Sequence, residues 1–564
     1  MSDQPEQWIE RFEWQGKVFA DRPQRGSLLK LRASWERRAV GIRVQRNMPF
    51  EYILRAATPF LSYAGLQAIA PAYSDYDDSL GLHLEGDADV EVVALDFERY
   101  RSAMTIDDLV VWLDGRLRAL RGSTRAPILV LDWAANDPDA RRFNHLLRST
   151  VEPIADVRVA DNAAVAHELD DAYHDDREAQ TKGMALSEAA VMLTAQRFGL
   201  VWLPALLAPR LKALVLDFDN TLYYGVLGED GVDGVKITDA HRAIYEQVRR
   251  LSAEGVYIAG LSRNEEADVL ALLDQRDDLP FDRATFSALV VDWEGKASGI
   301  VRIAEQLRIG TDAIVFVDDN PGELAAVGSA VPAVHLLHAA DPAITAAGLR
   351  LLPRLNGYPT GTASAIRASD LAASAARDQA AAVAADPGEY LRSLDIRLTF
   401  RLDDPTTVRR IAELSGKTNQ FNTHLLRLSE ADIAARRQSE GMRHVAVSLV
   451  DKLSDSGVIG AVVGHQEDGA FVLDEAAVSC RALGRDLEDA IIWHAIELMA
   501  GEPGGEVIIP FRRGERNGPA LRWVERWAAV PSGAEGIARV SRGPSVEEAV
   551  GAAVATLVDE PVPS

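Results

Sequence analysis

Two carboxylates stand two residues apart at the end of an apolar run in LVLDFDNTL, as Asp217 and Asp219. Side chains at this spacing on a strand end point the same way, and the turn after them presents backbone N–H groups. Carboxylate oxygens are ligands that Mg²⁺ prefers, and N–H groups bind phosphate. An Asp-x-Asp pair alone is a weak indicator, so its weight depends on the residues at the later strand ends of the chain.

Three further strand ends carry residues of matching chemistry. Ser262 ends the apolar run GVYIAGLS and offers a hydroxyl to a phosphate oxygen, while Lys296 in DWEGKAS supplies a cation. Asp318, followed by Asp319, ends DAIVFVDD and supplies further oxygen ligands for a metal ion. Four such motifs in this order predict a phosphoryl-transfer site that holds Mg²⁺.

The elements that must position these residues are buried strands alternating with helix-length segments. This pattern predicts a multidomain α/β protein whose central region, about 210–340, is a parallel Rossmann-like sheet. Similar alternation precedes it, and strands such as HVAVSLVD and FVLDEAAVS come after it, with a helix at LEDAIIWHAIELMA. An Ala-rich stretch, 362–386, predicts a connecting helix, and the last residues predict a loose helix and a frayed tail.

Composition excludes several classes of protein. A formal charge of −25 argues against nucleic-acid binding, which needs a strongly basic surface. The start of the chain has no apolar signal region, and the most apolar stretch is interrupted by Pro204 and Pro209, so no membrane span is predicted. The single cysteine, Cys480, fits a reducing compartment, and we expect a cytoplasmic protein.

The four strand-end motifs resemble those of the haloacid-dehalogenase (HAD) superfamily. The resemblance implies that Asp217 is the nucleophile and a Mg²⁺ ligand, and that Asp219 is the acid/base with its backbone carbonyl on the metal. Asp318 would complete the metal site. The implied phosphate-binding residues are Thr221, Ser262, Arg263 and Lys296.

A longer stretch, LVLDFDNTLYYGVLGEDG with LSRNEEADV and VFVDDNPGE, resembles the FkbH-like branch of that superfamily. KTNQFNTHLLRLSEADI and VSCRALGRDLEDAII resemble its second domain, which is related to GNAT acyltransferases, so the likeness covers roughly 200–530. The resemblance implies an enzyme of polyketide-type pathways that dephosphorylates 1,3-bisphosphoglycerate and loads a glyceryl unit on an acyl carrier protein. Tyr223-Tyr224-Gly225 departs from the family's Trp-Gly-Gly, which leaves the exact substrate of this chain open.

The acyl-transfer half centres on Cys480, which follows a strand and precedes RALGRD. In the functional interpretation it stands just before a helix N-terminus, which would stabilise a thiolate, and carries the acyl group as a thioester. GNAT proteins cradle coenzyme A at this motif, but Asp486 suits the phosphopantetheine of a carrier protein better. The predicted acyl- or pantetheine-binding residues are Asn419, Gln420, Asn422, Arg481, Gly484 and Arg485. The candidate bases for the thiol are His424, His465 and His494.

The N-terminal region resembles SGNH hydrolases at Asp171-Ala172-Tyr173-His174, which matches their Asp-x-x-His. No Gly-Asp-Ser nucleophile block occurs near the first strand, where the sequence reads VGIRVQRNMPFEY. We therefore expect a non-catalytic module for scaffolding or partner recognition.

These observations divide the chain into six segments: an N-terminal extension 1–37, an SGNH-like domain 38–200, an HAD-like phosphatase domain 201–345 with a minimal cap, a helical connector 346–388, a GNAT-like domain 389–545 and a tail 546–564. The leading hypothesis is a bifunctional phosphatase and acyltransferase whose partners are a carrier protein and a small phosphorylated acyl substrate. Two alternatives remain: a stand-alone Mg²⁺-dependent phosphatase with a partner-binding C-terminal domain, and an N-acetyltransferase with a degenerate HAD domain.

Overall fold

The computed structural model describes residues 5–76, 78–82, 86–358, 387–439, 441–483, 485–501, 505–514, 516–528, 533–541, 548, 550 and 555–560. The chain forms two compact units, residues 1–360 and 361–564. The helix predicted at 362–386 lies outside the described residues, as does Gly484.

The first unit contains two five-stranded parallel sheets, which confirms the α/β class with parallel sheets. The N-terminal sheet has the order β2-β1-β3-β4-β5. Its strands β1 to β5 are Arg38–Arg46, Leu66–Tyr73, Val90–Ala94, Ile128–Leu131 and Val157–Ala160. The runs VEVVA and ILVL are buried throughout, as expected for strands covered by helices on both faces.

The central sheet has the order β10-β9-β6-β7-β8, and all its strands are parallel. Strands β6 to β10 are Ala213–Leu216, Tyr257–Ser262, Ala288–Val291, Ile314–Asp318 and His335–His338. The three apolar runs that predicted strands form β6, β7 and β9, which are adjacent in the sheet. Their carboxyl ends therefore meet at one edge, where ligands bind in open α/β sheets.

Fifteen described helices accompany these sheets. In chain order, α1 to α15 are Pro5–Val18, Arg25–Leu28, Glu51–Tyr63, Ile106–Ser123, Pro138–Val151, Ala163–Leu169, Asp176–Lys182, Glu188–Arg197, Leu203–Leu207, Leu227–Gly234, Asp239–Ala253, Glu266–Gln275, Lys296–Gln306, Pro321–Ala330 and Pro342–Leu351. Among the described residues, one helical stretch, Glu188–Leu207, is long and apolar enough to cross a membrane, and 72% of its window is buried inside the protein.

The segment predicted as an N-terminal extension contains α1, which is built into the first unit. Trp8, Phe12 and Trp14 are all less than a tenth exposed. Helix α1 packs against α14, α3 and β10, and one hydrophobic core continues from the N-terminal sheet to the central sheet. Burial of aromatic side chains of this size stabilises such an arrangement by roughly 2–3 kcal/mol each.

The second unit has one seven-stranded mixed sheet of order β16-β15-β14-β13-β12-β11-β17. Strands β11 to β17 are Arg397–Leu402, Arg443–Val450, Asp455–Glu467, Ala470–Val478, Glu506–Arg512, Glu535–Ser541 and Thr556–Glu560. Helices α16 to α20 are Pro387–Ser393, Val408–Lys417, Glu430–Ser439, Glu488–Ala500 and Gly518–Trp527.

The prediction of a frayed tail at the end of the chain is wrong for residues 556–560. They form β17, which pairs in parallel with β11 from Arg397↔Thr556 to Arg401↔Glu560. A polar strand such as TLVDE lacks the apolar alternation that marks a strand in sequence, and the ladder with a distant partner forms it instead.

Strands β14 and β15 pair in parallel only at Phe471–Val472 and then separate. Residues 421–423 fill the gap. Phe421 O accepts a hydrogen bond from Val478 N at 2.9 Å, and Thr423 bonds Ala476 on one side and Arg512 on the other. The TNQFN segment is therefore an extra piece of backbone within this part of the sheet.

Candidate functional site

Four predicted residues meet at the carboxyl edge of the central sheet. Asp217 follows β6 directly, Ser262 is the last residue of β7, and Asp318 is the last residue of β9. Lys296 begins α13 after β8, and its long side chain reaches across to the two aspartates. The parallel strand order brings together residues that are up to 101 positions apart in sequence.

Three carboxylates converge here: Asp217, Asp318 and Asp319 each offer an oxygen, and these oxygens lie within 4.8 Å of one another. Lys296 Nζ lies 2.5 Å from Asp217 Oδ1 and 2.8 Å from Asp318 Oδ2. All but Asp319 are more than nine-tenths buried. One ammonium group faces three carboxylates, so the cluster carries excess negative charge in a place of low solvent access.

The electrostatics of this cluster fit a divalent cation. Burial raises the pKa of Asp217 to about 8. The charge of Asp318 raises this pKa further, and the charge of Lys296 lowers it. Burial and the Asp318 charge also raise the pKa of Asp319. A cation among these oxygens would favour their ionised forms, and an all-oxygen donor set is the one Mg²⁺ prefers.

Lys296 holds its charge in this setting. Burial alone would lower its pKa, but the carboxylates of Asp217 and Asp318 outweigh burial and raise it. The lysine is therefore a fixed positive charge beside the nucleophile position. Such a charge can neutralise a transferred phosphoryl group.

The loop after β9, which carries Asp319, is supported by a contact from β10. His338 Nε2 donates to the carbonyl oxygen of Asp319 at 2.9 Å, and the ring of Phe12 in α1 lies 5.4 Å from the His338 ring. Burial lowers the pKa of His338, which keeps the ring neutral and able to donate one N–H. Outer contacts of this kind orient the groups that bind a metal.

Asp219 is not one of the three converging carboxylates. Its Oδ1 accepts hydrogen bonds from Tyr223 Oη–H at 2.7 Å and from the Leu227 N–H at 3.1 Å, and its Oδ2 accepts from Asn264 at 2.9 Å. A side chain held this way suits acid/base work better than metal ligation. Its predicted ligation through the backbone carbonyl stays a prediction.

The predicted phosphate-binding residues Thr221 and Ser262 lie at or shortly after the carboxyl ends of β6 and β7. Thr221 is almost fully buried, and its hydroxyl has no hydrogen-bond partner among the described residues. Asn220, in the turn before it, has a φ of 55°, a left-handed conformation that asparagine tolerates, and its side chain accepts from Gly225 N. Ser262 Oγ accepts a bond from Asn264 at 2.9 Å. Both hydroxyl protons are therefore available to a phosphate.

Arg263 and Lys296 both line a cavity of about 360 Å³. Its guanidinium pairs with Glu323 Oε1 at 2.6 Å, and the other oxygen of Glu323 lies 3.8 Å from Lys296 Nζ. The cavity is lined on this side by Gly295, Asn320 and Gly322 as well.

The sequence analysis did not identify Asn264 or Glu323 as residues of this site. It named Tyr223, but not as a hydrogen-bond donor. Asn264 stands two positions after Ser262, a spacing that could have suggested a shared location. Glu323 follows the DDNP turn by only a few residues. For Tyr223 the sequence showed only a departure from the family motif, because its partner depends on how the loop folds.

In the second unit, the TNQFN segment runs antiparallel beside the end of β14. Asn422 pairs with Ala477 across an isolated bridge, so the chain direction carries Gln420 and Asn419 toward Cys480. Gln420 is exposed, whereas Asn422 is fully buried and its Oδ1 accepts from the backbone N–H groups of residues 424 and 425. Asn422 therefore stabilises a turn.

The expectation that Cys480 stands immediately before a helix is wrong. Helix α19 begins at Glu488, and a turn at residues 480–483 and a bend at residues 485–486, with Asp486 at a φ of 52°, precede it. The half-buried Cys480 is therefore not part of the first turn of that helix, where the helix dipole acts.

The two arginines of the RALGRD motif bind the protein itself. Arg481 donates to the carbonyl of Ser456 at 2.7 Å. Arg485 is buried and pairs with the fully buried carboxylate of Asp451 at 2.9 Å. A buried ion pair of this kind is costly to break, so Arg485 is a structural residue in this conformation.

The three candidate bases do not lie beside Cys480. His465 Nδ1 is 2.8 Å from Asp474 Oδ2, and His424 bonds the Asp474 carbonyl. Asp474 precedes the end of β14 at Val478 by four residues, roughly 13 Å of strand, and Cys480 follows that end. His494 pairs with Asp559 on β17, which three strands separate from β14. Strand length and sheet order thus keep these histidines from the thiol.

In the N-terminal sheet, strand β1 is followed by Asn47 where a hydrolase of the SGNH type would carry its serine. The Asn47 side chain binds the backbone of Asp96 and the hydroxyl of Tyr100. His174 is exposed. Ser74, which directly follows β2, accepts a hydrogen bond from Arg46 N at 2.9 Å, but no serine stands directly after β1. The non-catalytic role stays a prediction.

No family model matches the chain, and no curated protein matches it. Among solved structures, it is similar to the N-terminal part of the protein BF1531 from Bacteroides fragilis, described as containing a phosphatase domain complexed with Mg. The TM-score is 0.46 and the identity 18%, over 64% of this chain and 99% of that chain. A fungal glucosamine N-acetyltransferase region of a multi-domain β-N-acetylglucosaminidase gives a TM-score of 0.17 and 10% identity, over 94% of this chain and 68% of that chain.

Proposed function

We propose that this chain is a Mg²⁺-dependent phosphatase of the HAD type that acts on a small phosphorylated substrate. The observation that carries the proposal is the convergence of Asp217, Asp318 and Asp319 on one point, with Lys296 between the first two. Desolvated carboxylates beside a fixed cation, at the carboxyl edge of a parallel sheet, are suited to phosphoryl transfer.

The residues have separate roles in the proposed reaction. An oxygen of Asp217 attacks phosphorus, the bond to the leaving oxygen breaks, and Asp219 gives that oxygen its proton. Water then gives its proton to Asp219 and attacks the aspartyl-phosphate, which releases inorganic phosphate and restores Asp217. Mg²⁺ held by the carboxylate cluster would stabilise negative charge on the phosphoryl oxygens. Lys296 and the Ser262 hydroxyl hold the phosphoryl group throughout.

We extend the proposal to the second unit as an acyltransferase that loads a carrier protein in polyketide-type biosynthesis. The Cys480 thiolate would attack the carbonyl carbon of an acyl phosphate, phosphate would leave, and the thioester would pass to the phosphopantetheine thiol of an acyl carrier protein. Support comes from the FkbH-like sequence motifs and from the position of the TNQFN segment beside the end of β14. The proposed cargo is a glyceryl unit from 1,3-bisphosphoglycerate.

A second candidate is a stand-alone phosphatase whose second unit only binds a partner. It is favoured by the distance of His424 and His465 from Cys480 and by the engagement of Arg485 with Asp451. The two candidates differ in whether the enzyme ever carries an acyl group.

Intact-mass measurement after incubation with Mg²⁺ and 1,3-bisphosphoglycerate separates them. The acyltransferase predicts a covalent adduct of glyceryl or phosphoglyceryl mass on the wild type and on Ser479→Ala, its matched neighbour, and none on Cys480→Ala. The adduct should disappear when a carrier protein with its phosphopantetheine is added. A wild type that releases phosphate without any glyceryl or phosphoglyceryl adduct, and a Cys480→Ala variant that releases phosphate equally fast, would establish the stand-alone phosphatase.

A further inference from the structure

Within the part of the chain that the structure describes, three donors held by the fold bind the Asp219 carboxylate. Tyr223 Oη–H and the Leu227 N–H donate to Oδ1 at 2.7 and 3.1 Å, and Asn264 donates to Oδ2 at 2.9 Å. A carboxylate has about four lone-pair positions. Three are occupied, and the remaining one, on Oδ2, is left for a proton of the reaction.

Tyr223 is fixed in this position from both sides. Its side chain is fully buried, and its backbone forms a bridge with Asp219 itself. The carbonyl of Leu222 accepts a hydrogen bond from Tyr245 of α11, and the N–H and carbonyl of Tyr224 pair with Lys236. The loop after β6 therefore has little freedom to move the phenol away from the carboxylate.

Asn264 binds two residues of the site with one amide group. Its Nδ2 lies 2.9 Å from Asp219 Oδ2 and 2.9 Å from Ser262 Oγ, so each of its two hydrogens has its own acceptor. Because Ser262 accepts this bond, its own hydroxyl proton must point elsewhere, and the phosphoryl position is where an acceptor would arrive. Asn264 is only 4% exposed, so water does not compete for these bonds.

We propose that Tyr223 and Asn264 are positioning residues for the phosphatase reaction: Tyr223 orients the acid/base carboxylate of Asp219, and Asn264 ties its orientation to that of the Ser262 hydroxyl. The inference rests on the proposed function and deepens it. Neither residue touches the phosphoryl group. They act on proton transfer to the leaving oxygen, so their effect is on kcat and grows as the leaving group becomes more basic.

The test compares Tyr223→Phe with Tyr224→Phe, two substitutions that each remove one hydroxyl from adjacent tyrosines. Tyr224 is 45% exposed, its ring lies against His241, and its hydroxyl is not among the described hydrogen-bond donors to Asp219. With Mg²⁺, hydrolysis of p-nitrophenyl phosphate and of glycerol phosphate is measured for both variants and for Asn264→Ala. The first substrate has a leaving group that departs without a proton, and the second needs one.

Tyr223→Phe is expected to lower kcat on glycerol phosphate by about 10- to 100-fold with KM within twofold, and to lower it much less on p-nitrophenyl phosphate. Asn264→Ala should show the same dependence on leaving group, and Tyr224→Phe should match the wild type. Equal losses on both substrates, or none, would overturn the positioning role even if one variant is destabilised. A wild type that hydrolyses neither ester would instead overturn the phosphatase assignment, and this inference with it.

Discussion

Replacement of Asp217 by asparagine is expected to lower phosphate release by at least about a thousand-fold. The amide keeps the shape of the side chain but cannot attack phosphorus or carry the phosphoryl group. The measurement is inorganic phosphate produced with Mg²⁺ under saturating substrate, together with intact mass of the acid-quenched enzyme. Wild type should show an added phosphoryl group under these conditions, and Asp217→Asn should show none.

The stability of Asp217→Asn provides the control for folding. Asp318 still pairs with Lys296 at 2.8 Å, and one of three converging carboxylates is neutralised, so the unfolding free energy of the metal-free protein should not fall. Asp239→Asn is the matched surface variant, because that side chain is 99% exposed in the same unit. An Asp217→Asn protein that retains more than a tenth of wild-type turnover would rule out the nucleophilic role.

Replacement of Lys296 by methionine is expected to cost both activity and stability. Methionine has a similar length and no charge, so Asp217 and Asp318 would be left buried without their cation. Loss of one partner of a buried charged cluster costs about 3–5 kcal/mol, reduced here to the extent that a carboxylate takes up a proton. Turnover should fall by at least about a hundred-fold, because the transferred group loses its fixed positive charge.

Urea unfolding with and without Mg²⁺ gives a sharper test of the Lys296 prediction. The metal-free variant should unfold at lower urea than wild type, and Mg²⁺ should stabilise the variant more than it stabilises wild type, since the ion supplies the missing charge. Lys236→Met serves as control, because Lys236 is exposed on the loop that contains α10. A Lys296→Met variant as stable as wild type without metal would contradict the electrostatic account of the cluster.

Much of the candidate site could be predicted from local sequence. The runs before Asp217 and Ser262, and the run that ends in Asp318, are apolar and rich in β-branched residues, which marks buried strands with little ambiguity. Parallel strands separated by helices place their carboxyl ends on one edge, so the meeting of these residues is a consequence of their pattern. Strands β8 and β10 were missed, and their burial alternates or is partial, whereas β6 is buried throughout.

The second unit shows where such prediction fails. The strand before Cys480 and the helix after it were predicted at nearly the right residues, yet the intervening turn separates the thiol from the helix N-terminus. The positions of His465 and His494 depend on strand direction and sheet order. Strand β17 pairs with β11 across about 160 residues of chain, and no local pattern specifies such a partner.

The sequence by itself determined the chemical character of the first site: two aspartates, a serine, a lysine and a further aspartate at strand ends, in an order that allows phosphoryl transfer. Only the tertiary structure decided which neighbouring side chains form hydrogen bonds with these residues. Tyr223 and Asn264 form hydrogen bonds with Asp219 because the loop after β6 folds back and because the neighbouring strand β7 ends beside it. Strand formation depends on short-range hydrophobic patterning, whereas hydrogen-bond partners are chosen by packing between elements distant in sequence.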